Sequence, residues 1–329
     1  MPTLVLNCND ERPIWAMPAA AVEQVRKALP ADWQLKVVAA TVNSRGDGSS
    51  FSVEAVEASR DAEVYIGSGV PAEVLAVAPR LRWAHTTNAG VSSLMYPEMR
   101  ASDVILTNAA GIHAEPMAES VLAMMLYFAR GFDYAVDAQR RRSWDESKLV
   151  STGAQVRELS SSTVGIIGFG GIGKAVARRA EALGMTVLST NSRSTRADLE
   201  RLLERSHYVV LTVPDTPETR GLIGAAELAC MRPDAVLINV ARGAVVDEVA
   251  LIDALEAGRI RGAGLDVFTE EPLPGTSPLW NTPGVLITPH ASAVSWHYWE
   301  RQLSLILENL NRYLTGQPLL NIVNKQRGY

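Results

Sequence analysis

Short apolar runs alternate with segments of helical periodicity through the second half of the chain. Runs that predict strands lie at residues 164–167, 186–188, 208–213, 235–240, 262–268 and 285–288. Helices are predicted between them at 174–183, 196–205, 225–231 and 248–257, the last closed by Gly258, a residue type common after helices. Near-continuous apolar strands separated by helices are typical of a parallel sheet covered on both faces.

The first hundred residues repeat this alternation on a smaller scale. Strands are predicted at 3–6, 34–38, 62–66 and 82–85, and helices at 19–28 and 71–77. A long apolar helix at 116–129 joins this part to the second half, and an amphipathic helix at 295–314 returns to it. We therefore predict an α/β protein with two doubly wound parallel-sheet domains of Rossmann/flavodoxin type and a cleft between them. A discontinuous domain takes residues 1–102 plus 292–329, and the other takes 103–291.

A glycine pattern opens the helix after the first strand of the second domain. GFGGIG occupies residues 168–173, between the strand at 164–167 and the helix at 174–183. In this strand–turn–helix context GxGxxG is the fingerprint of dinucleotide binding. Gly168 permits the tight turn, Gly170 lets the backbone approach a pyrophosphate, and Gly173 lets the helix pack close to the strand. We therefore predict that residues 103–291 bind the dinucleotide, at the helix N-terminus, and that the discontinuous domain binds the substrate.

The residue after the second strand of this unit reports on cofactor choice. An NAD site usually has Asp or Glu there, bonded to the ribose 2′-hydroxyl. This chain has Asn191, followed by Ser192, Arg193 and Arg196. A neutral Asn does not repel a 2′-phosphate, and the cations can pair with it. We therefore predict that NADP(H) is preferred and that NAD(H) is possible. The alternative is that Arg193 and Arg196 are solvated loop charges.

Three residues that suit acid–base chemistry follow predicted strands. Arg242 comes after VLINVA, Glu271 after LDVFTE, and His290 after VLITP. The carboxyl ends of parallel strands form the edge where ligands bind. Arg242 can hold a substrate carboxylate through two hydrogen bonds, His290 can exchange a hydroxyl proton, and Glu271 can orient His290. With a nicotinamide these roles predict a reversible 2-oxoacid/2-hydroxyacid couple. Taken singly, each residue could instead be an ordinary surface or loop group.

Composition and charge narrow the possible partners. The chain has 329 residues, 47% hydrophobic and 20% charged, which is ordinary for a globular protein of two domains. A net charge of −5 without a dense basic run argues against nucleic acid or membrane as the main partner. We see no apolar run that would span a bilayer and no signal-peptide pattern. Cys8 and Cys230 stand apart and the five histidines form no close pair, so we expect no metal site and a cytoplasmic location.

The motifs together resemble those of the D-isomer-specific 2-hydroxyacid dehydrogenase family. The similar segments, in order, are LTNAAGIHAEPMAESVLAMML, VGIIGFGGIG, VPDTPETRGLI, LINVARGAVVDE, GAGLDVFTEEPLP and TPHASA. The ending PLLNIVNKQRGY resembles that of the glyoxylate/hydroxypyruvate reductase branch. The resemblance implies an NAD(P)-dependent enzyme, a small 2-oxoacid substrate and a homodimer joined through the dinucleotide domains.

The resemblance also implies site residues. The catalytic set is Arg242, Glu271 and His290, with His290 as the acid/base. Backbone at Asn88, Ala89 and Gly90 is implied to meet the substrate carboxylate, together with Arg242 and His290. The predicted cofactor-binding residues are Gly168, Gly170, Gly171, Ile172, Gly173, Asn191, Ser192, Arg193, Val213, Pro214, Val240, Ala241, Asp266 and His290. Asp266 is implied to face the nicotinamide amide.

Several departures leave the substrate open. Ala291 and Ser292 stand where many members of the family have a glycine pair, and TTNAGV at 86–91 is looser than the common SVGxD form. We predict a reductase of glyoxylate or hydroxypyruvate. A bulkier 2-oxoacid is an alternative, because Trp15, Met95, Tyr96, Trp144 and Trp296 are either pocket residues or ordinary core and interface residues. A phosphorylated acid would need cations such as Arg45, Arg60 and Arg140–Arg142. The last alternative is a dinucleotide-sensing interaction protein of the same fold.

Overall fold

The computed structural model describes residues 1–42, 51–151 and 156–328, and it divides into two compact units. The first unit comprises Met1–His113 with Val294–Tyr329, and the second comprises Ala114–Ala293. Each contains one fully parallel sheet, in agreement with the predicted fold class. Among the described residues, no helix combines the length and the apolar character that crossing a membrane requires.

The first unit has a five-stranded sheet. Its strands are β1 (Thr3–Asn7), β2 (Gln34–Val37), β3 (Val64–Gly67), β4 (Trp83–Thr86) and β5 (Ile105–Thr107), in the order β2-β1-β3-β4-β5. Its helices are α1 (Ala19–Ala28), α2 (Val53–Ala58), α3 (Ala72–Val77), α4 (Pro97–Ala101) and α12 (Tyr298–Leu314). Successive side chains of β1 enter different cores: Leu4 and Leu6 pack in one apolar cluster and Val5 in another. Both faces of this sheet are therefore covered.

The second unit has a six-stranded sheet. Its strands are β6 (Thr163–Ile167), β7 (Thr186–Thr190), β8 (Tyr208–Leu211), β9 (Val236–Asn239), β10 (Gly262–Leu265) and β11 (Val285–Ile287), in the order β11-β10-β9-β8-β6-β7. Its helices are α5 (Ala114–Ala129), α6 (Phe132–Arg140), α7 (Ser147–Val150), α8 (Gly171–Ala182), α9 (Arg196–Arg205), α10 (Ala225–Cys230) and α11 (Glu248–Glu256). Strand β7 lies on one side of β6, whereas β8 and the strands after it lie on the other, so β6 and β8 flank a topological switch point, where ligands bind in such sheets.

The predicted domain boundaries differ from the division that the structure shows. We predicted a break at 102/103, but residues 105–107 form β5, which pairs with β4 through Trp83 and Ile105. The segment up to His113 therefore belongs to the first unit. The second break lies at 293/294 instead of 291/292. As predicted, the last long helix, α12, returns to the first unit.

Candidate active site

The turn between β6 and α8 has the shape that a dinucleotide pyrophosphate requires. Gly168 has a φ of +98°, and a Cβ there would lie 2.8 Å from the Thr212 carbonyl carbon. A Cβ on Gly173 would overlap the Gly168 carbonyl oxygen, whereas one on Gly170 would meet nothing within 4 Å. The backbone in front of α8 is thus closely packed on the sheet side and open at Gly170. This geometry fits a phosphate group at the helix N-terminus.

The loop after β7 holds its polar residues at the surface. Asn191, Ser192 and Arg193 are exposed, and the Arg193 amide donates to Asn191 Oδ1 at 2.9 Å. Arg196 was one of two cations expected to meet a 2′-phosphate, but it is paired elsewhere. It contacts Glu200 Oε1 at 2.8 Å and also contacts the carboxylate of Glu227. Of the two cations, Arg193 is therefore the better placed to meet a ligand.

Arg242 lies directly after β9, and its loop is fixed against the loop that follows β10. Its Nη1 donates to the Ala241 carbonyl at 2.6 Å, and the Asn239 side chain donates to the Arg242 carbonyl at 3.0 Å. The neighbouring Gly243 is pressed against the Phe268 backbone so closely that a Cβ would overlap it. Glycine at 243 therefore brings the Arg242 segment beside the segment that ends at Glu271.

His290 and Glu271 form a hydrogen-bonded pair at this edge of the second sheet. The distance from His290 Nδ1 to Glu271 Oε2 is 2.6 Å, and Glu271 Oε1 accepts from the Phe268 amide at 2.9 Å. A carboxylate at Nδ1 requires the proton there, which leaves Nε2 to gain and release the second proton. Burial would raise the pKa of Glu271. The hydrogen bonds from His290 and Phe268, with the charges of His290 and Arg242, instead hold that pKa below its ordinary value.

Comparison with known proteins agrees with this geometry. The family profile described as "D-isomer specific 2-hydroxyacid dehydrogenase, NAD binding domain" matches residues 122–292, more than half of the chain. The chain belongs to the D-isomer-specific 2-hydroxyacid dehydrogenase family. It is therefore an NAD(P)-dependent oxidoreductase, as its sequence predicted.

Individual relatives cover most of this dehydrogenase. It is 38% identical over 278 residues to the glyoxylate/hydroxypyruvate reductase B of Pectobacterium atrosepticum, which covers 80% of this chain and 86% of the relative. It is 32% identical to the D-3-phosphoglycerate dehydrogenase of Methanocaldococcus jannaschii, over 82% of this chain and 53% of the relative. The solved structure of a D-isomer-specific 2-hydroxyacid dehydrogenase from Xanthobacter autotrophicus Py2, in complex with NADPH and MES, matches with a TM-score of 0.80. The two are 30% identical over 100% of this chain and 99% of that one.

The predicted cofactor residues of this family member follow the carboxyl ends of the strands of the second sheet. Val213 and Pro214 come after β8, Val240 and Ala241 after β9, and Asp266 after β10, all at the edge that carries the glycine turn. Val240 and Ala241 are buried in the core clusters, so little beyond their backbone can reach a ligand. Near the turn, Thr212 Oγ1 donates to the Gly168 carbonyl at 2.5 Å, a contact that the sequence pattern did not single out.

Asp266 lies deeper than its predicted role implies. Its side chain is 0% exposed. Its carboxylate accepts hydrogen bonds from Thr288 Oγ1 at 2.6 Å and from the amides of Ala291 and Ser292. The contact with the nicotinamide amide stays a prediction, whereas the contacts with the segment around His290 are present in the structure. The Asp in LDVF gave no sequence signal for these contacts, because they depend on how the loop after β11 folds back.

The first unit carries the predicted substrate loop at the end of β4. Asn88 donates from its side chain to the Ser68 carbonyl, and Asn108 donates to the Ala89 carbonyl at 2.7 Å. These bonds fix the loop after β4. Within the described part of the chain, the amides of Ala89 and Gly90 form no hydrogen bond. Two backbone donors are thus available for an anion, and the substrate role of the Asn88–Gly90 backbone stays a prediction.

The five apolar side chains that were considered for binding a bulkier 2-oxoacid do not lie together. Trp15 stacks edge-on against Tyr298 with ring centroids 4.7 Å apart, and Met95 is buried, whereas Trp144 and Trp296 are 100% and 87% exposed. The Tyr96 hydroxyl donates to the Val70 carbonyl. These five side chains therefore do not form a single apolar cluster in the first unit: Trp144 belongs to the second unit and Trp296 is exposed.

The cations proposed for a phosphorylated acid are also dispersed. Arg60 lies in the turn before β3, at the edge opposite to the one where Asn88 follows β4. Arg141 is paired with Asp137 at 3.1 Å. Arg45 lies outside the described residues. Across residues 1–42, 51–151 and 156–328, no group of three or more His, Cys, Asp or Glu side chains could hold a metal ion.

Proposed function

We propose that this dehydrogenase is an NADPH-preferring reductase of small 2-oxoacids, with glyoxylate or hydroxypyruvate as substrate and a D-2-hydroxyacid as product. The observation that carries the proposal is the His290–Glu271 pair, with its 2.6 Å hydrogen bond, in the same unit as the Arg242 charge and the glycine turn. The name of the Pectobacterium relative supports the substrate, since that protein is a glyoxylate/hydroxypyruvate reductase.

Each side chain has one task in this proposal. The Arg242 guanidinium uses one donor on the Ala241 carbonyl and has further donors for a planar substrate carboxylate. His290 donates the Nε2 proton to the substrate oxygen as the carbonyl becomes a hydroxyl, and takes it back in the reverse direction. The Glu271 carboxylate accepts the hydrogen bond from His290 Nδ1–H and stabilises the positive imidazolium. A bound nicotinamide supplies or accepts the hydride.

The preference for NADPH rests on the loop after β7. Asn191 carries no charge, and its side-chain oxygen accepts the Arg193 amide, so no carboxylate stands ready to repel a 2′-phosphate. The exposed Arg193 supplies a positive charge within the same turn. The Xanthobacter relative was solved with NADPH, which agrees with this proposal. In this proposal NADH is the poorer of the two cofactors.

A second candidate function is reduction of a phosphorylated acid. The 32% identity to a D-3-phosphoglycerate dehydrogenase favours it, and the dispersed positions of Arg60 and Arg141 do not. Comparison of turnover of the phosphorylated and the unphosphorylated acids separates the two functions.

A homodimer is also part of the proposal. It is supported by three exposed apolar side chains in the segment of α6 and α7, namely Phe132, Trp144 and Val150.

The test follows absorbance at 340 nm with glyoxylate, hydroxypyruvate, pyruvate, phenylpyruvate and 3-phosphohydroxypyruvate, each with NADPH and with NADH. We expect the highest kcat/KM with NADPH and glyoxylate or hydroxypyruvate. Highest activity with the phosphorylated acid would select the second candidate. Activity with NADH alone would contradict the cofactor proposal and leave the acid–base roles standing. Nucleotide binding without turnover of any acid would contradict the reductase proposal and favour a sensing protein.

A further inference from the structure

The segment from Thr288 to Ser292, which carries His290, is tied to a single buried carboxylate. Asp266 Oδ1 accepts from Thr288 Oγ1 at 2.6 Å, from the Ala291 amide at 2.8 Å and from the Ser292 amide at 3.2 Å. Its Oδ2 accepts from the Ser292 amide at 3.0 Å, and its backbone carbonyl accepts from the His290 amide at 2.8 Å. These contacts lie on both sides of His290 along the chain.

The backbone of His290 needs such support. Its φ is +52°, in the left-handed region that residues with a Cβ adopt at a cost. Such conformations persist where the surrounding contacts determine them, and they cluster at functional sites. Here the hydrogen bonds of Asp266 immediately before and after His290 hold the turn in that region. A loosened turn would rotate the imidazole away from Glu271.

Packing alone does not fix this segment on its other side. Thr288, Ala291 and Ser292 border a cavity of about 290 Å³, whose opposite wall is α5. A hydrogen bond crosses from α5, from Ser120 Oγ to the Ser292 carbonyl at 3.2 Å. The polar contacts with Asp266 therefore restrain the turn that presents the imidazole.

The charge of Asp266 makes these contacts obligatory. Its side chain is fully buried, and within the described residues it forms no ion pair. A buried carboxylate is tolerated only where hydrogen-bond donors replace water, and here all the donors come from the loop after β11. Loss of that loop geometry would leave the carboxylate unsolvated. The carboxylate and the loop thus hold each other in place.

We infer that Asp266 is a positioning residue: it fixes the turn that presents His290 to Glu271 and to the substrate. The inference rests on the proposed acid–base role of His290. It differs from the predicted contact between Asp266 and the nicotinamide amide, because it acts on proton transfer and not on nucleotide binding. The two roles lead to different measurements.

Thr288→Val tests the inference without touching Asp266 or His290. It removes one hydrogen bond to Asp266 Oδ1 and keeps the shape of the side chain. We expect kcat to fall about tenfold, the size expected for a lost hydrogen bond to a charged group, with the NADPH dissociation constant changed by less than about twofold. Thr288→Ser keeps the hydroxyl and should restore kcat. The primary isotope effect with deuterated NADPH should rise in Thr288→Val, because chemistry becomes slower than release.

A matched control lies at the other end of β11. Thr282 is also buried, and its hydroxyl donates to the Pro278 carbonyl at 3.0 Å. Thr282→Val should lower the melting temperature of the cofactor-free protein without changing kcat. If Thr288→Val fails to fold, Thr288→Ala removes the same hydroxyl without the extra methyl contact.

The decisive measurement compares the effect of Thr288→Val in the wild type with its effect in the His290→Gln variant. If Thr288 and Asp266 act through His290, Thr288→Val adds no further loss to the residual single-turnover rate of His290→Gln. An equal, additive loss in both backgrounds would overturn the inference. So would a rise in the NADPH dissociation constant that matches the fall in kcat, or an unchanged kcat. If His290→Gln itself retains full activity, the proposed function fails, independently of Thr288.

Discussion

The hydrogen bond between Glu271 and His290 Nδ1 leaves Nε2 as the nitrogen that transfers a proton in the proposed mechanism. His290→Gln keeps a polar side chain but cannot transfer a proton, so we expect kcat to fall by about a thousandfold or more. The NADPH dissociation constant should change little, because in the proposed mechanism the imidazole acts on the substrate oxygen. Stopped-flow turnover and fluorescence titration measure the two quantities. Loss of NADPH binding in step with kcat would show that His290 serves structure and not proton transfer.

Glu271 adds a pH dependence of defined sign. Because its contacts hold its pKa below the ordinary value of about 4.3, the carboxylate form persists as the pH falls through that value. The pair with His290 should therefore be lost only at lower pH. We expect kcat in the wild type to show no loss from Glu271 protonation between pH 7 and 5. Glu271→Gln should lower kcat across this whole range, and a variant that matches the wild type at pH 7 would remove Glu271 from the mechanism.

If Arg242 holds the substrate carboxylate as proposed, the planar geometry of its guanidinium matters more than its charge. Arg242→Lys keeps a cation but loses the two parallel N–H groups that match a carboxylate. We expect KM for the 2-oxoacid to rise about tenfold to a hundredfold, with the dissociation constant for NADPH unchanged. Initial-rate kinetics with glyoxylate provide the measurement, and Arg259→Lys, in the segment between the end of α11 and β10, provides a control. An unchanged KM would take Arg242 out of the carboxylate site.

The proposed preference for NADPH is tested at Asn191. Asn191→Asp places a carboxylate where an NAD-specific relative would have one, so it should repel a 2′-phosphate and bond the ribose hydroxyls. We expect the ratio of kcat/KM for NADPH over NADH to fall about tenfold or more. Asn191→Ala tests whether loss of the amide alone explains the change. A ratio unmoved by Asn191→Asp would mean that the 2′ position is recognised elsewhere.

At the scale of elements, the sequence predicted the parts whose structure is determined locally. The predicted bounds of α1 and α9 agree with the structure to the residue. Helix α9 carries its own capping box between Thr195 and Asp198, a local signal. The short strand β5 was missed because its three residues show no period. It exists through its pairing with β4 and with the antiparallel bridge from Thr107 to Ile322.

In the candidate site, too, the features that depend on local sequence were predicted and those that depend on tertiary contacts were not. The order of motifs along the chain predicted which residues follow the strand ends, because parallel strands end at one edge. Sequence could not predict that Arg196 would be drawn to Glu227, whose carboxylate also caps α10 at the Gly224 amide. Nor could it predict that Gly243 would pack against Phe268, because that contact depends on two loops that are distant in sequence. Tertiary contacts, not local preferences, decide these points.

For the molecule as a whole, one carboxylate links two distant segments of the second unit. Asp234, before β9, accepts from Arg157 at 2.9 Å and from Arg232 at 2.8 Å, and its side chain is three-quarters buried. Burial would raise the pKa of Asp234, but the bonds and charges of the two arginines lower it to about 2. Arg157 lies just before the first strand of this sheet, so the contact closes a long loop in the fold.

The lowered pKa of Asp234 has a definite consequence for stability. The folded-state pKa lies below the unfolded value, so the stabilisation is fully present above pH ~4 and disappears as the pH falls toward 2. After allowance for solvent screening, we expect Asp234→Asn to lower the free energy of unfolding by about 1–2 kcal/mol at pH 7. Urea unfolding of the second unit, followed from pH 7 to pH 2, should show the wild-type and variant curves converging. Asp253→Asn on the exposed face of α11 should track the wild type throughout. A constant gap at all pH values would mean that Asp234 stabilises the unit by packing and not by its charge.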